Sequence, residues 1–320
     1  MQVFEPFEQF DEIEDIAEKL ADPDVATRRV AVMELADSAD PAAVAYLKQA
    51  IVDAAREVRL QAAIALSEFD GPDTAEALAL ALVDDDPSVA EAAADSLAEL
   101  KDPAAADPLL PLVGHESAFV RIAALRALRE LRRADSLKPA LEAFSDADAG
   151  VRAHAIGVVG YLKNEETLPA LMAMLKDQDA TVRRTVAGAL GFTSSEIVAE
   201  ALAQALADGD WQVREVAAES LAKVGLSSAV EKLIAALGDD YWQVRQKVIR
   251  SLGKLGAADA VGAILPSLDH DISNLRKEAA AALGEIASAD ALGALEAHLE
   301  DPDPDVRKNI RWAIGRIRSN

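Results

Sequence analysis

Four histidines, 56 carboxylates and no cysteine are what this chain offers for chemistry. The lack of cysteine removes thiolate nucleophiles, disulfides and cysteine-ligated metals at once. His115, His154, His270 and His298 stand at least 28 residues apart. No two share a helical turn, as a His-x-x-x-His zinc site requires. Carboxylates are so frequent that no pair marks a general acid and base. The chain has no glycine-rich phosphate loop and no nucleophile elbow. The residues therefore point away from catalysis, and no metal or cofactor is expected.

The charge balance excludes more. The formal net charge is −24, from 56 acidic and 32 basic residues. A protein that neutralises nucleic-acid phosphates needs the opposite sign. No run of about 18 apolar residues is present, so no membrane-spanning helix is expected. The start, "MQVFEPFEQFDEIEDIAEKL", lacks a basic segment followed by an apolar one, so no signal peptide is expected. A chain without cysteine fits a reducing compartment, and the expected location is the cytoplasm.

Whatever the chain does must be built on elements that its periodicity defines. Taking the Arg of Val-Arg as an anchor gives Arg59, Arg121, Arg152, Arg183, Arg214, Arg245 and Arg307, with Arg28 (after Thr27) and Arg276 (after Leu275) in the same register. Every interval is 31 or 62 residues, and the skipped position is Ala90. That is ten units of 31 residues without an insertion, the signature of a repeat array. Each unit reads as two amphipathic helices. In the first, apolar residues fall 15, 12 and 8 positions before the anchor, as in Val230, Leu233 and Leu237. Spacings of three and four place them on one helical face. Asp40-Pro41, Gly71-Pro72 and Asp102-Pro103 read as N-caps followed by a first-turn proline. The second helix follows the anchor, with a face such as Val182, Val186, Ala187 and Leu190.

The segments "DQDATVRRTVAGALG", "DGDWQVREVAAESLAKVG" and "DPDPDVRKNIRWAIGRI" resemble the HEAT-repeat family, in the short form found in phycobilisome-lyase-like proteins. The resemblance covers residues 11–320, with residues 1–10 left as an N-terminal capping segment. It implies an all-α fold, a right-handed α-α superhelix of about ten helix pairs. It also implies a ladder. Eight units carry Asp six residues before the anchor, and in HEAT proteins such an Asp bonds to the Arg of a neighbouring unit. His115 and His270 take that Asp position in two units and read as capping or loop substitutes. His115-Glu116 resembles one His-Glu pair of HEAT-type di-iron hydroxylases. That family needs several such pairs and this chain has one, so the match is set aside.

Positions that change from unit to unit carry information about partners. The resemblance places the second helices on the concave side. Nine residues after the anchor stand Asp37, Glu68, Glu99, Glu130, Tyr161, Phe192, Lys223, Lys254, Glu285 and Arg316. Five after it stand Met33, Ile64, Asp95, Arg126, Gly157, Gly188, Glu219, Arg250, Ala281 and Trp312. Acids come first, then two aromatics above two mid-helix glycines, then lysines. Two readings are open for Tyr161, Phe192, Gly157 and Gly188. Either the rings fill a tight gap beside the glycines, or they line a notch, with His154 and Thr185, that receives a ligand. The acid-to-base order reads as a polarised groove that orients an extended or helical protein segment. "LRALRELRR", with Arg126, Arg129, Arg132 and Arg133, reads as a solvated face or a contact for an acidic group.

Trp-Gln-Val-Arg occurs twice, at Trp211 and Trp242, and other units place mostly small residues at the Trp position. With Tyr241 beside them, the indoles either stack on each other and seal the loops, or form a binding hot spot. Trp312 is a further contact candidate. Phe4, Phe7 and Phe10 read as a cap over the first unit or as a docking point. The function expected is a non-catalytic scaffold, adaptor or assembly chaperone whose partner is another protein rather than a small molecule. The alternative implied by the resemblance is a bilin lyase or lyase-subunit role on phycobiliproteins, with the pigment in the notch.

Overall fold

A computed structural model describes residues 12–319. The capping segment 1–10, with Phe4, Phe7 and Phe10, lies outside the described residues. Among the described residues every regular element is helical, and no helix is long and apolar enough to cross a membrane. The ten second helices are α1 (Val25–Asp37), α2 (Arg56–Ala65), α3 (Pro87–Leu97), α4 (Ala118–Leu131), α5 (Ala149–Leu162), α6 (Ala180–Ala189), α7 (Trp211–Val224), α8 (Trp242–Lys254), α9 (Ser273–Ile286) and α10 (Pro304–Arg318). The chain forms two compact units, residues 1–162 and 163–320, so α1–α5 belong to the first and α6–α10 to the second. Within each unit, successive second helices pack on one another.

The 31-residue pattern sets the core. The residue three after each anchor position is fully buried in all ten repeats, from Ala31 and Ala62 to Ala279 and Ile310. One turn later, Leu35, Leu66, Leu97, Leu128, Val159, Leu190, Leu221, Leu252, Leu283 and Ile314 are buried as well. In the first segments the residue twelve before the anchor is buried from Leu47 through Leu295, while Ile16, in the first repeat, is only half-buried. Burying each Leu or Val contributes about 1.5–3 kcal/mol. The small Ala at most of the +3 positions lets the helices approach closely.

The first segments are shorter than the period suggests. Several are six-residue α-helices entered and left through 3-10 turns, such as Leu168–Ala173 and Val230–Ala235. Gly71-Pro72 starts its helix as expected, with Gly71 at φ 103° as N-cap. Asp40 does not cap a helix; its side chain accepts from the Ala42 N–H and the helix begins at Ala43. Asp102 caps only a 3-10 turn, Pro103–Ala106, followed by a second, Leu110–Gly114. Pro108 and Pro111 supply no N–H and cannot sit inside a regular helix, so this first helix is broken.

The Arg–Asp ladder is present. Arg28 donates through Nε to Asp53 Oδ2 at 2.7 Å and through a terminal nitrogen to Asp53 Oδ1 at 2.9 Å. Its other terminal nitrogen donates to the Asp22 carbonyl at 2.9 Å. The same pattern joins Arg59 to Asp84, Arg183 to Asp208, Arg214 to Asp239 and Arg276 to Asp301. Each Asp also accepts from the N–H two residues on, as Asp53 does from Ala55 at 2.7 Å. One carboxylate thus fixes its own turn and the neighbouring repeat. Hydrogen bonding from the arginines holds Asp53, Asp84, Asp208 and Asp301 below the usual carboxylate range.

Close helix contact tightens toward the C-terminus. A Cβ on Gly253 would sit 2.8 Å from Ala282 Cα. One repeat later, a Cβ on Gly284 would sit 2.5 Å from the Trp312 ring and 2.8 Å from Ala313 Cβ. By contrast, a Cβ on Gly188 would meet only Val216, at an ordinary 3.5 Å. Helix propensity alone favours Ala over Gly by about 1 kcal/mol at both positions. We therefore expect Gly188→Ala to stabilise by about 0.5–1 kcal/mol and Gly284→Ala to destabilise by about 1–3 kcal/mol. Urea unfolding of the two variants checks this, and the same sign in both would refute the packing account.

Candidate functional site

The four histidines are dispersed and do ordinary structural work. His115 Nδ1 accepts from the Ser117 N–H at 3.1 Å, and His270 Nδ1 accepts from the Ile272 N–H at 3.0 Å. Both replace the turn-capping oxygen of the ladder Asp. His270 Nε2 also lies 3.1 Å from a terminal nitrogen of Arg245. A neutral imidazole has one acceptor nitrogen, so the turn N–H and the guanidinium compete for it. That rung is weaker than an Asp rung. At His115 the preceding repeat has Ala90 where the arginine would be, so both halves of that rung are replaced. His298 bonds to the Ala294 carbonyl and to Asp269; the Ala294 contact first, then Asp269, holds its pKa above the usual value. No group of three or more His, Asp or Glu among the described residues could hold a metal.

A surface hollow of about 490 Å³ opens beside the His115 position, lined by residues including Val113, Arg121, Pro139, Glu142 and Asp146. Arg121 is already committed to Asp146 and to the His115 and Glu116 carbonyls. The arrangement is one of ladder groups at the rim of a groove and offers no acid–base pair.

The basic run on α4 is compensated within the chain. Arg126 reaches Asp95 at 3.2 Å, Arg129 reaches Glu130 at 2.7 Å, and Arg133 bonds to Asp107 and Asp135. Arg132 takes the left-handed conformation, φ 55°, that ends α4. Its guanidinium donates to the Tyr161 hydroxyl at 2.6 Å and lies 4.6 Å from that ring's centroid. The run is therefore no free basic island. Tyr161 is exposed but held by Arg132, and it does not fill a gap at Gly157. A Cβ at Gly157 would meet Arg129 Cδ at an ordinary 3.5 Å, so packing does not require the glycine. The tight-gap reading finds no support at either glycine. His154, half-buried on α5, is kept neutral more readily than usual by burial and then by Arg129 and Arg126. Tyr161 and His154 belong to the first unit, Phe192 and Thr185 to the second. Phe192 is half-buried in the 3-10 turn that ends α6.

In the second unit the expected cations are exposed but mostly paired. Lys223 lies 3.1 Å from Glu219, and Arg250 lies 2.6 Å from Glu278. Glu219, bound first by Lys247 and also by Lys223, has its pKa lowered to about 2. Lys254 is exposed and forms no ion pair with a described residue. Trp312 is 44% exposed, yet its ring edge packs over Gly284. Arg316 lies 5.6 Å from the Trp312 ring centroid.

The turn edge of α7 and α8 departs from expectation. One of the two readings open for this edge had the two tryptophans stacked on each other. Instead Trp211 stacks on Tyr241, with centroids 5.5 Å apart and planes at 9°. The reason lies in the cap. Asp210 caps α7 by accepting from the Gln212 and Val213 N–H groups. In the next repeat Tyr241 occupies the N-cap position and makes no side-chain cap bond. Its ring is free to turn back over Trp211, and Arg214 covers it at 5.5 Å. Trp242 is half-buried and outside the stack. Gln212 braces the edge by accepting from Arg184 at 3.0 Å. Losing a cap costs about 1 kcal/mol, so folding alone does not select Tyr241. Its N-cap position was the signal in the sequence that singled it out from Trp242.

A family model of HEAT repeats matches residues 13–98, 75–148, 137–222, 199–281 and 263–320. The chain belongs to the HEAT-repeat family. Its fold is the all-α superhelix of about ten 31-residue helix pairs that the family implies. No curated protein matches the chain. Among solved structures, an engineered protein is 21% identical over 96% of this HEAT chain and 99% of its own, with a TM-score of 0.53. Kap95p, whose binding induces the switch loops of RanGDP to adopt the GTP-bound conformation, is 17% identical with a TM-score of 0.63. That match covers 96% of this chain and 50% of Kap95p. Yeast importin β is 13% identical over 95% of this chain and 52% of its own, with a TM-score of 0.64. The chain thus spans about half the length of these importin β structures. At such identities the likeness is one of fold alone.

Two measurements follow from this geometry. His270→Asp should restore a bidentate rung to Arg245 and stabilise the protein by about 1 kcal/mol. The new carboxylate's pKa would be depressed by its arginine, so the gain is present above about pH 4 and lost as the group protonates below that. Urea midpoints at pH 7 and pH 3 check it. A double-mutant cycle of Trp211→Ala and Tyr241→Ala should give a coupling of about 0.5–1.5 kcal/mol, whereas Trp242→Ala with Tyr241→Ala should be additive.

Proposed function

We propose that this chain is a non-catalytic interaction scaffold, an adaptor or assembly chaperone, that holds a segment of a partner protein. The observation that carries the reading is Tyr241. An exposed aromatic stands where a helix cap belongs, stacked on Trp211, in a chain with only 4% aromatic residues. Aromatic pairs of this kind are common anchors at protein interfaces. Trp242 extends the edge. The remaining contacts in this reading are the exposed Tyr161 with the half-buried Arg126 and His154 in the first unit, and the exposed Lys223, Arg250, Lys254 and Trp312 with the half-buried Phe192 in the second. Protein partners suit the fold, as Kap95p binds RanGDP and forms a complex with Nup1.

Only the basic part of the expected groove, within the second unit, is kept in this reading. Lys223 and Arg250 have acids of their own, so Lys254 is the cation free to meet a partner's carboxylate. The 31-residue period supports the short, phycobilisome-lyase-like repeat form. No observation on a site favours the bilin chemistry that form suggests.

The test is a pull-down from the native host with wild type beside Trp211→Ala/Tyr241→Ala/Trp242→Ala, and beside Lys254→Glu. We expect a captured protein to be lost with the triple variant and reduced with Lys254→Glu, while thermal melts show all three proteins folded. Equal capture by folded wild type and triple variant would remove the aromatic edge from the account.

A further inference from the structure

The first unit carries an exposed apolar row among its described residues. Val30, Met33 and Ile64 are 47%, 45% and 48% exposed. Val30, Met33 and Asp37 follow at spacings of three and four, so they share one face of α1. Ile64 on α2 and Asp95 on α3 are the equivalents of Met33; Glu68, in the 3-10 turn that ends α2, and Glu99, in the turn just after α3, are the equivalents of Asp37. Since α1 packs on α2 and α2 on α3, the faces form one continuous surface. It is apolar on its first two helices and edged by one acid at the C-terminal end of each helix.

Those edging acids are unmatched. Asp37, Glu68 and Glu99 are exposed and pair with no cation among the described residues. The neighbouring cations are mostly engaged elsewhere: Lys19 holds Glu34 and Arg28 holds Asp53. Arg29, exposed one turn before Met33, stands two turns from Asp37 and forms no ion pair with it. The chain itself shows what such a row accepts. Arg126 of α4 reaches back to Asp95 on α3 at 3.2 Å. Among the described residues no cation reaches Asp37 or Glu68 in the same way.

We propose that the α1–α3 face binds a cationic amphipathic segment of a partner protein. The segment lays its apolar side on Val30, Met33 and Ile64 and its Lys or Arg side chains on Asp37, Glu68 and Glu99. This deepens the scaffold reading and rests on it, at a surface separate from the Trp211–Tyr241 edge. Three helices at about 8–10 Å spacing give a track of about 20 Å, matched by a helix of about 13 residues. Met33 adapts to varied apolar partners. Nucleic acid and anionic lipid carry the wrong sign for this face.

The experiment uses the full chain and a labelled peptide of about 18 residues, with Leu on one helical face and Lys on the other, read by fluorescence anisotropy. Its sequence-scrambled isomer has the same charge and no apolar face. A strongly acidic protein attracts any cation, so a charge-matched control is essential. Asp37→Lys/Glu68→Lys/Glu99→Lys should weaken binding at least about tenfold, and Met33→Ser/Ile64→Ser at least about fivefold. Glu231→Lys/Asp240→Lys/Asp259→Lys, with the same net charge, should change it by less than about twofold. All six substituted residues of the two acid-to-lysine sets are exposed, and thermal melts report that the folds survive. The proposal is overturned if the two lysine variants bind alike, or if the scrambled peptide binds as tightly as the amphipathic one. Peptide binding that survives Trp211→Ala/Tyr241→Ala/Trp242→Ala separates this face from the aromatic edge. A lost edge with an intact face, or the reverse, identifies which reading failed.

Discussion

One carboxylate per repeat carries the connection between turns and between repeats. Asp53 accepts from its own turn at Ala55 and from Arg28 of the repeat before, and Arg28 ties back to the Asp22 carbonyl. Every group in that cycle has its hydrogen bonds met while half-shielded from water, where a charge-assisted pair is stronger than on an open surface. The spacing of 31 follows from it. An insertion in any repeat would carry the Asp away from the arginine that needs it. The exceptions obey the same constraint. Ala90 and His115 remove both halves of one rung together, whereas at Arg245 the acid alone is replaced and the His270 imidazole takes its place.

That frame frees the second helices for other work. Their inner faces are occupied by the buried residues three and seven after the anchor, and their outer faces are not. Ion pairs within the chain then decide which outer charges stay available. Arg126, Arg129, Lys223 and Arg250 each have an opposite charge close by, while Asp37, Glu68, Glu99 and Lys254 have none among the described residues. A protein of net charge −24 that still leaves single acids unmatched beside exposed Met and Ile presents a surface suited to a basic, partly apolar partner. The aromatic edge is a second, chemically different surface. There the chain gives up a helix cap at Tyr241 and gains a flat, exposed stack.

Much of the fold was legible in the sequence. The anchor period gave the ten repeats, and the spacings of three and four gave the helical faces that prove buried. The ladder followed from the family resemblance and from Asp six residues before Arg. Less was legible where proline acts in sequence-distant combination. Pro103 alone marks a helix start, but Pro108 and Pro111 together turn that helix into two 3-10 pieces. Gly157 and Gly284 look alike as mid-helix glycines. One has room for a methyl group and the other is pressed by Trp312 and Ala313, which only the neighbouring repeat determines.

The sequence by itself determined the all-helical repeat, its length, its buried residues and its charge, because these depend on local periodicity. Only the tertiary structure decided which outer groups meet. Trp211 pairs with Tyr241 and not Trp242, since the ring at the cap position swings across 30 residues of chain to the previous turn. Arg126 of α4 and Arg132 at its end are spent on Asp95 and Tyr161, because side chains of neighbouring repeats reach one another at distances that spacing along the chain does not encode.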